Sequence, residues 1–139
     1  MTKPFTITRR VQFVETDMAG VLHFSNYYRY MEEVEHAFWR SHGLSVILDK
    51  GDISWPRVKT TCEHYAPARF EDEVQLTLRV IAVTNRSVTY EVEFHHDDKP
   101  LAKGKTTAVC CSMKDGRFSS TPIPDKLRDI LLAAVAKTD

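Results

Sequence analysis

Asp17 stands out among the titratable residues by its surroundings. It lies within residues 11–43, VQFVETDMAGVLHFSNYYRYMEEVEHAFWRSHG, in a short loop shared with Gly20 that leads into a long amphipathic segment. A carboxylate near a helix start sits close to free backbone amides and to the positive end of the helix dipole. There it can serve as a nucleophile or as a general base. The same D-x-x-G pattern also suits a plain turn, in which Asp17 only shapes the loop. Gly20 lets the backbone approach a ligand or take a positive φ. His23 adds an imidazole that can donate to an electrophile or can be purely structural. Asn26 can cap the helix through its side-chain oxygen.

Other chemistries lack their motifs. His95 and His96 are adjacent, and His36 and His42 form neither H-E-x-x-H nor Cys/His pairs, so no zinc spacing exists. No G-x-G-x-x-G, Walker or G-x-S-x-G pattern occurs. No metal and no bound cofactor are therefore expected. Cys62, Cys110 and Cys111 are odd in number with two adjacent, which argues for buried thiols in a reducing, cytoplasmic setting. Lys plus Arg and Asp plus Glu balance at 19 each, which offers nothing to nucleic acid. MTKPFTITRR lacks the apolar core of a secretion signal, and no run approaches the ~18 apolar residues of a membrane span.

The elements that must position Asp17 follow from periodicity. Tyr27, Tyr30, Met31, Val34, Ala37 and Phe38 make one apolar stripe on a helix over roughly residues 26–42, stopped by Gly43. Residues 5–14 alternate as a half-buried strand interrupted by Arg9. Residues 44–57 are a connection with a short helical turn. From Arg57 onward the pattern is β: residues 58–65, then Val74 to Val80, then Val88 to Phe94, with turns at Asn85-Arg86 and Asp97 to Pro100. A long last strand, 101–113, carries Ala102, Gly104, Thr106 and Ala108 on one face, which would let a helix approach closely. Asp115-Gly116 ends it. Pro122 and Pro124 then precede a second helical stripe, Leu127, Ile130, Leu131, Ala134 and Val135. About four consecutive strands, preceded by one strand and one striped helix, give an α+β fold: one antiparallel sheet with a helix on it, in a single domain over 1–139.

The run V-x-F-x-x-T-D-x-x-G-V-x-H-F-x-x-Y-x-x-Y-x-E, from Val11 to Glu32, resembles the start of the hotdog fold in the 4-hydroxybenzoyl-CoA thioesterase family, as does CEHYAPARFEDEV from Cys62 to Val74. The resemblance implies a curled antiparallel sheet wrapped around the long helix, homodimers or dimers of dimers, and acyl-CoA sites at the subunit boundary. It implies hydrolysis of the thioester to free acid and CoA, with Asp17 as nucleophile or general base and CoA arriving as part of the substrate. Tyr27 and Glu32 match family positions on the helix, where Tyr27 is most simply core and Glu32 either points toward the site or sits on a solvated face. Gly20, His23 and Asn26 join them as candidates around the substrate. A backbone amide near Trp55, Arg57 and Val58 would polarise the thioester carbonyl across the dimer, although Pro56 has no amide to give. Arg57, Lys59, Arg69 and Lys103 are candidates for the CoA phosphates. Two alternatives remain beside this one: a non-catalytic acyl-CoA binding module, and a hotdog hydratase or dehydratase acting on acyl thioesters.

Overall fold

The computed structural model describes residues 4–47 and 52–135. Along the chain come β1 (Phe5–Arg10), a 3-10 turn (Phe13–Glu15), α1 (Asn26–Ser41), β2 (Ile53–Ser54), β3 (Arg57–His64), β4 (Glu73–Val83) and β5 (Ser87–His96). They are followed by β6 (Lys99–Val109), β7 (Cys111–Lys114), β8 (Arg117–Ser120) and α2 (Asp125–Ala134). Five strands pair antiparallel in the order β1-β4-β5-β6-β3, so β1 and β3 are the two edges. The α+β expectation of an antiparallel sheet with a helix on it holds.

The alternation on β4 and β5 decides which face is covered. Val74, Leu76, Leu78 and Val80, together with Val88, Tyr90, Val92 and Phe94, are all buried on the side of α1. The helix answers with Tyr27, Tyr30, Met31, Val34, Phe38 and Trp39, each removing an apolar side chain from water for about 1.5–3 kcal/mol. Ala37 is only half-buried, whereas Trp39 and Glu35 are buried beyond the expected stripe. Trp39 is accommodated because its indole N–H donates to the Tyr90 hydroxyl at 3.2 Å. Glu35 is accommodated by Arg57, whose two terminal nitrogens reach both carboxylate oxygens at 2.5 and 2.7 Å. Helix and sheet can approach because β6 turns only Ala102, Gly104, Thr106 and Ala108 toward α1, all buried. At Gly104 a Cβ would overlap Sδ and Cε of Met31, so the end of that side chain would have to move aside.

Several local expectations are corrected. Arg9 does not interrupt β1; it takes the inner register after Phe5 and Ile7 and is satisfied there by acidic partners. Asn26 is the first helical residue rather than the cap, which is Ser25, and the Asn26 side chain instead donates to the Glu15 carbonyl at 2.9 Å. The described residues between 44 and 57 hold no helical turn, only β2, and residues 48–51 lie outside the described chain. The strand expected over 101–113 breaks at Cys110. Cys110 and Cys111 are both buried, and consecutive residues of one strand cannot share a face, so the chain crosses into a second sheet of order β2-β7-β8. The Asp115-Gly116 turn thus joins β7 to β8 instead of ending the β region.

Gly104→Ala should lower unfolding free energy by about 1–3 kcal/mol in denaturant titration, the usual penalty for overfilling a packed core. Met31→Ala in the same chain should cost less than it does in the parent, because the clash that it relieves is gone.

Candidate active site

Asp17 opens a tight hairpin. Thr16 and Leu22 bridge antiparallel, the Asp17 amide donates to the Val21 carbonyl at 2.9 Å, and the Gly20 amide donates to the Asp17 carbonyl at 3.0 Å. Gly20 sits at φ +77, the left-handed conformation that its lack of a Cβ allows. Asp17 does shape this turn: Oδ1 accepts from the Ala19 amide at 2.8 Å and from the Val21 amide at 3.4 Å. Asp17 also lines an open cleft of about 800 Å³ together with Phe13, Val14, Thr16, Met18, Ala19 and His23.

His23 reaches the same cleft in a defined orientation. Its Nδ1 accepts from the Ser25 amide at 3.2 Å and lies 2.8 Å from the Ser25 hydroxyl, while its ring stacks on Phe24. An accepting Nδ1 assigns the proton of the neutral ring to Nε2, which is therefore a donor. Phe13, Val14, Met18 and Phe24 around the cleft are each at least 72% exposed, an apolar rim of the kind that a partner or ligand covers.

The sequence reading missed what holds the hairpin. Glu15 accepts at Oε1 from the Gln12 amide at 2.8 Å, the Tyr30 hydroxyl at 2.8 Å and Arg9 at 3.0 Å, and at Oε2 from Arg9 at 2.6 Å. Its carbonyl takes the His23 amide at 2.8 Å and the Asn26 side chain at 2.9 Å. Arg9 also donates to Glu33 at 2.8 Å, and its guanidinium lies 4.6 Å from the centre of the Tyr30 ring. Burial works against the ionised Glu15 carboxyl, but the Gln12 amide, Arg9 and Tyr30 outweigh it and hold it below the usual carboxylate range. The available signal was Arg9, a charge on the apolar side of an alternating strand.

The other expected site residues serve mainly elsewhere in the structure. Tyr27 is a core residue, edge-on to His64 with ring centroids 4.5 Å apart and next to Phe94. Burial first, then Cys62 and Asp17, push its hydroxyl pKa upward against the Ala68 amide. Glu32 is exposed at a small cleft of about 120 Å³ shared with Tyr28, Glu35, Arg57 and Thr106. Trp55 stacks near Trp39, about 20 Å along α1 from Asn26 at 1.5 Å per residue. Arg57 is engaged by Glu35, and Val58 is an exposed residue of the β3 edge. Within one chain, Trp55, Arg57 and Val58 are therefore not brought to Asp17. Lys59 and Lys103 lie on the outer sheet face beside Glu63 and Tyr65, whereas Arg69 pairs through its backbone with Val21 of the Asp17 hairpin. Among the described residues no group of three or more His, Cys, Asp or Glu could hold a metal ion. No described helix is long and apolar enough to cross a membrane.

A long helix cradled by a curled antiparallel sheet is the arrangement of a hotdog domain. Residues 11–131 match the model of the thioesterase-like superfamily, and the chain belongs to it. It is 28% identical over 124 residues to a 1,4-dihydroxy-2-naphthoyl-CoA hydrolase of Synechocystis, covering 86% of this chain and 90% of that one. An acyl-CoA thioester hydrolase, YbgC of Escherichia coli, is 24% identical over 103 residues, covering 73% of this chain and 77% of that one. The solved structure of a gentisyl-coenzyme A thioesterase superposes with a TM-score of 0.79 at 30% identity, covering 88% of this chain and 98% of that one. The expectation of a hotdog thioesterase is met.

The depressed pKa of Glu15 sets a pH dependence of stability. Because its folded value lies below the unfolded value near ~4.3, its contribution is full above that value and is lost as pH falls through the folded one. Thermal unfolding from neutral pH to about pH 2 should show the parent more stable than Glu15→Gln by about 2 kcal/mol at neutral pH. The two curves should converge at the acid end.

Proposed function

We propose that the protein hydrolyses acyl-CoA thioesters to a free acid and CoA, with Asp17 as the reacting carboxylate. The observation that carries this reading is that Asp17, whose Oδ1 anchors the hairpin, lines an open cleft together with His23. A thioester carbonyl seated there meets a base or nucleophile on one side and a hydrogen-bond donor for its developing oxyanion on the other. As a general base, Asp17 takes a proton from water while the water oxygen attacks the carbonyl carbon. Collapse of the tetrahedral species breaks the C–S bond, and the proton passes to the departing thiolate. As a nucleophile, Asp17 forms an acyl anhydride with loss of the thiolate, and water then cleaves it. Neither route calls for a cofactor, since CoA enters with the substrate. The relatives named for dihydroxynaphthoyl-CoA, gentisyl-CoA and acyl-CoA hydrolysis make aromatic acyl-CoAs the first substrates to try. The three free thiols suit a reducing, cytoplasmic compartment.

The cleft is completed by a second copy. β3 has a neighbour on one side only, and its residues other than Cys62 are exposed, so it offers a long unpaired edge. Two copies related by a two-fold axis would pair β3 with β3 antiparallel. Pairing centred on that strand sets Arg57 and Val58 of one copy opposite His64 and Glu63 of the other. His64 packs on Tyr27 at the start of α1, so the segment around residues 55–58 of the second copy would reach the Asp17 cleft that it cannot reach in its own chain. A dimer of dimers would add a further interface beyond this one.

Free-thiol release from short, long and aromatic acyl-CoAs tests the chemistry. At least one should turn over, and Asp17→Asn should lose ~10²-fold or more, the scale of a lost general base. Binding without thiol release from any of them would favour a binding module instead. In sedimentation the chain should run at twice its own mass. Val58→Asp, which sets like charges against each other across the symmetric edge, should shift it toward monomer and cut turnover together.

A further inference from the structure

We propose that Glu15 is a positioning residue for the reaction: clamped by Arg9 and Tyr30, it fixes Asp17 and His23 relative to each other. The proposal rests on the reading of Asp17 and His23 given above. Every polar atom of Glu15 is used. Its amide donates to the Gln12 carbonyl at 3.0 Å, its carboxylate takes Gln12, Tyr30 and Arg9, and its carbonyl takes the amide of His23 and the side chain of Asn26. One residue therefore holds the strand that enters the Asp17 hairpin, the residue that leaves it and the first residue of α1. A tilt of the Glu15 peptide changes the placement of Asp17 against His23 and of both against α1. Misplacing a reacting group by about 1 Å costs on the order of 10²-fold in rate.

The charge content of the clamp argues for geometry over stability. Glu15 keeps only 14% of its side chain exposed and Arg9 24%, so both are substantially desolvated. Apolar residues of similar volume stabilise such places at least as well as an ion pair does. What the pair adds is direction: a planar fork with two fixed contacts, Nη1 to Oε1 at 3.0 Å and Nη2 to Oε2 at 2.6 Å, and a third from Nε to Glu33 that ties the fork to α1. The Tyr30 ring under the guanidinium removes its remaining freedom.

The test separates position from stability. Arg9→Met and Glu15→Gln each leave a partner uncompensated, so both should lower Tm, and the double variant should regain part of that loss. At saturating acyl-CoA and a temperature at which every variant is folded, kcat should fall about 10- to 100-fold in Glu15→Gln and stay low in the double variant, with KM little changed. Tyr30→Phe, which removes a single hydroxyl from Oε1, is the milder arm and remains informative if the double variant does not fold. It should lower kcat a few-fold at a near-parental Tm and KM. A kcat that recovers with Tm in the double variant would overturn the proposal, as would parental kcat in Tyr30→Phe and in Glu15→Gln. Asp17→Asn, measured alongside, isolates the underlying reading: if that variant keeps full turnover, Asp17 is not the reacting group and there is nothing for Glu15 to position.

Discussion

The distance between α1 and β6 governs this molecule. A helix lies flat on a sheet only where the sheet presents little bulk, and Ala102, Gly104, Thr106 and Ala108 provide that strip, with Met31 filling the space that a side chain at 104 would need. Close approach then decides where both ends of the helix fall. It also brings the helix within reach of charges on the two edges of the sheet: Glu33 meets Arg9 on β1, and Glu35 meets Arg57 on β3. The helix is thus held by apolar contact along its length and by an ion pair at each side, and its roll about its own axis has little freedom. Burying charge in this way contributes modestly to stability at best, but it selects one orientation among several of similar packing energy.

The site inherits that orientation. The N-terminal turn of α1 carries Asn26 and Tyr30, and both hydrogen-bond to Glu15, so the position of the Asp17 hairpin is referred to the helix instead of to the surrounding loops. The hairpin also touches the rest of the molecule through backbone, where the Leu22 amide donates to the Ala68 carbonyl at 2.7 Å and Val21 bridges Arg69, and through the buried Leu22 side chain. Catalytic groups on loops need such a rigid reference, because a loop by itself samples many geometries.

Much of this was legible in the chain, and the parts that were not share a cause. The α1 stripe, the alternation on β4 and β5 and the small face of β6 were readable because each is a local periodicity that one layer of packing enforces. Arg9 and Asn26 were misread because each is settled by a partner distant in sequence: Arg9 by Glu33, Asn26 by the Glu15 carbonyl. A charge or an amide on an apolar face looks like a break until its partner is known. The departure of β7 from the main sheet was hidden differently, since two adjacent cysteines read as one more apolar step rather than as a change of face. At the site, the T-D-x-x-G motif pointed to Asp17 and Gly20, whereas Glu15 carries no motif and its role exists only through seven hydrogen bonds in three dimensions.

Asp17 combines two duties in one side chain, since Oδ1 builds the turn and the residue also lines the cleft. Asparagine also has a side-chain oxygen that can accept from the Ala19 and Val21 amides, so the hairpin could survive the exchange of a single oxygen for an amide nitrogen. If Asp17 is the reacting carboxylate proposed above, shape and reactivity are separately heritable here. After gene duplication, one copy of such a chain could abandon chemistry in a single codon change and keep its groove, leaving a carrier or sensor of the same ligand on an unaltered scaffold.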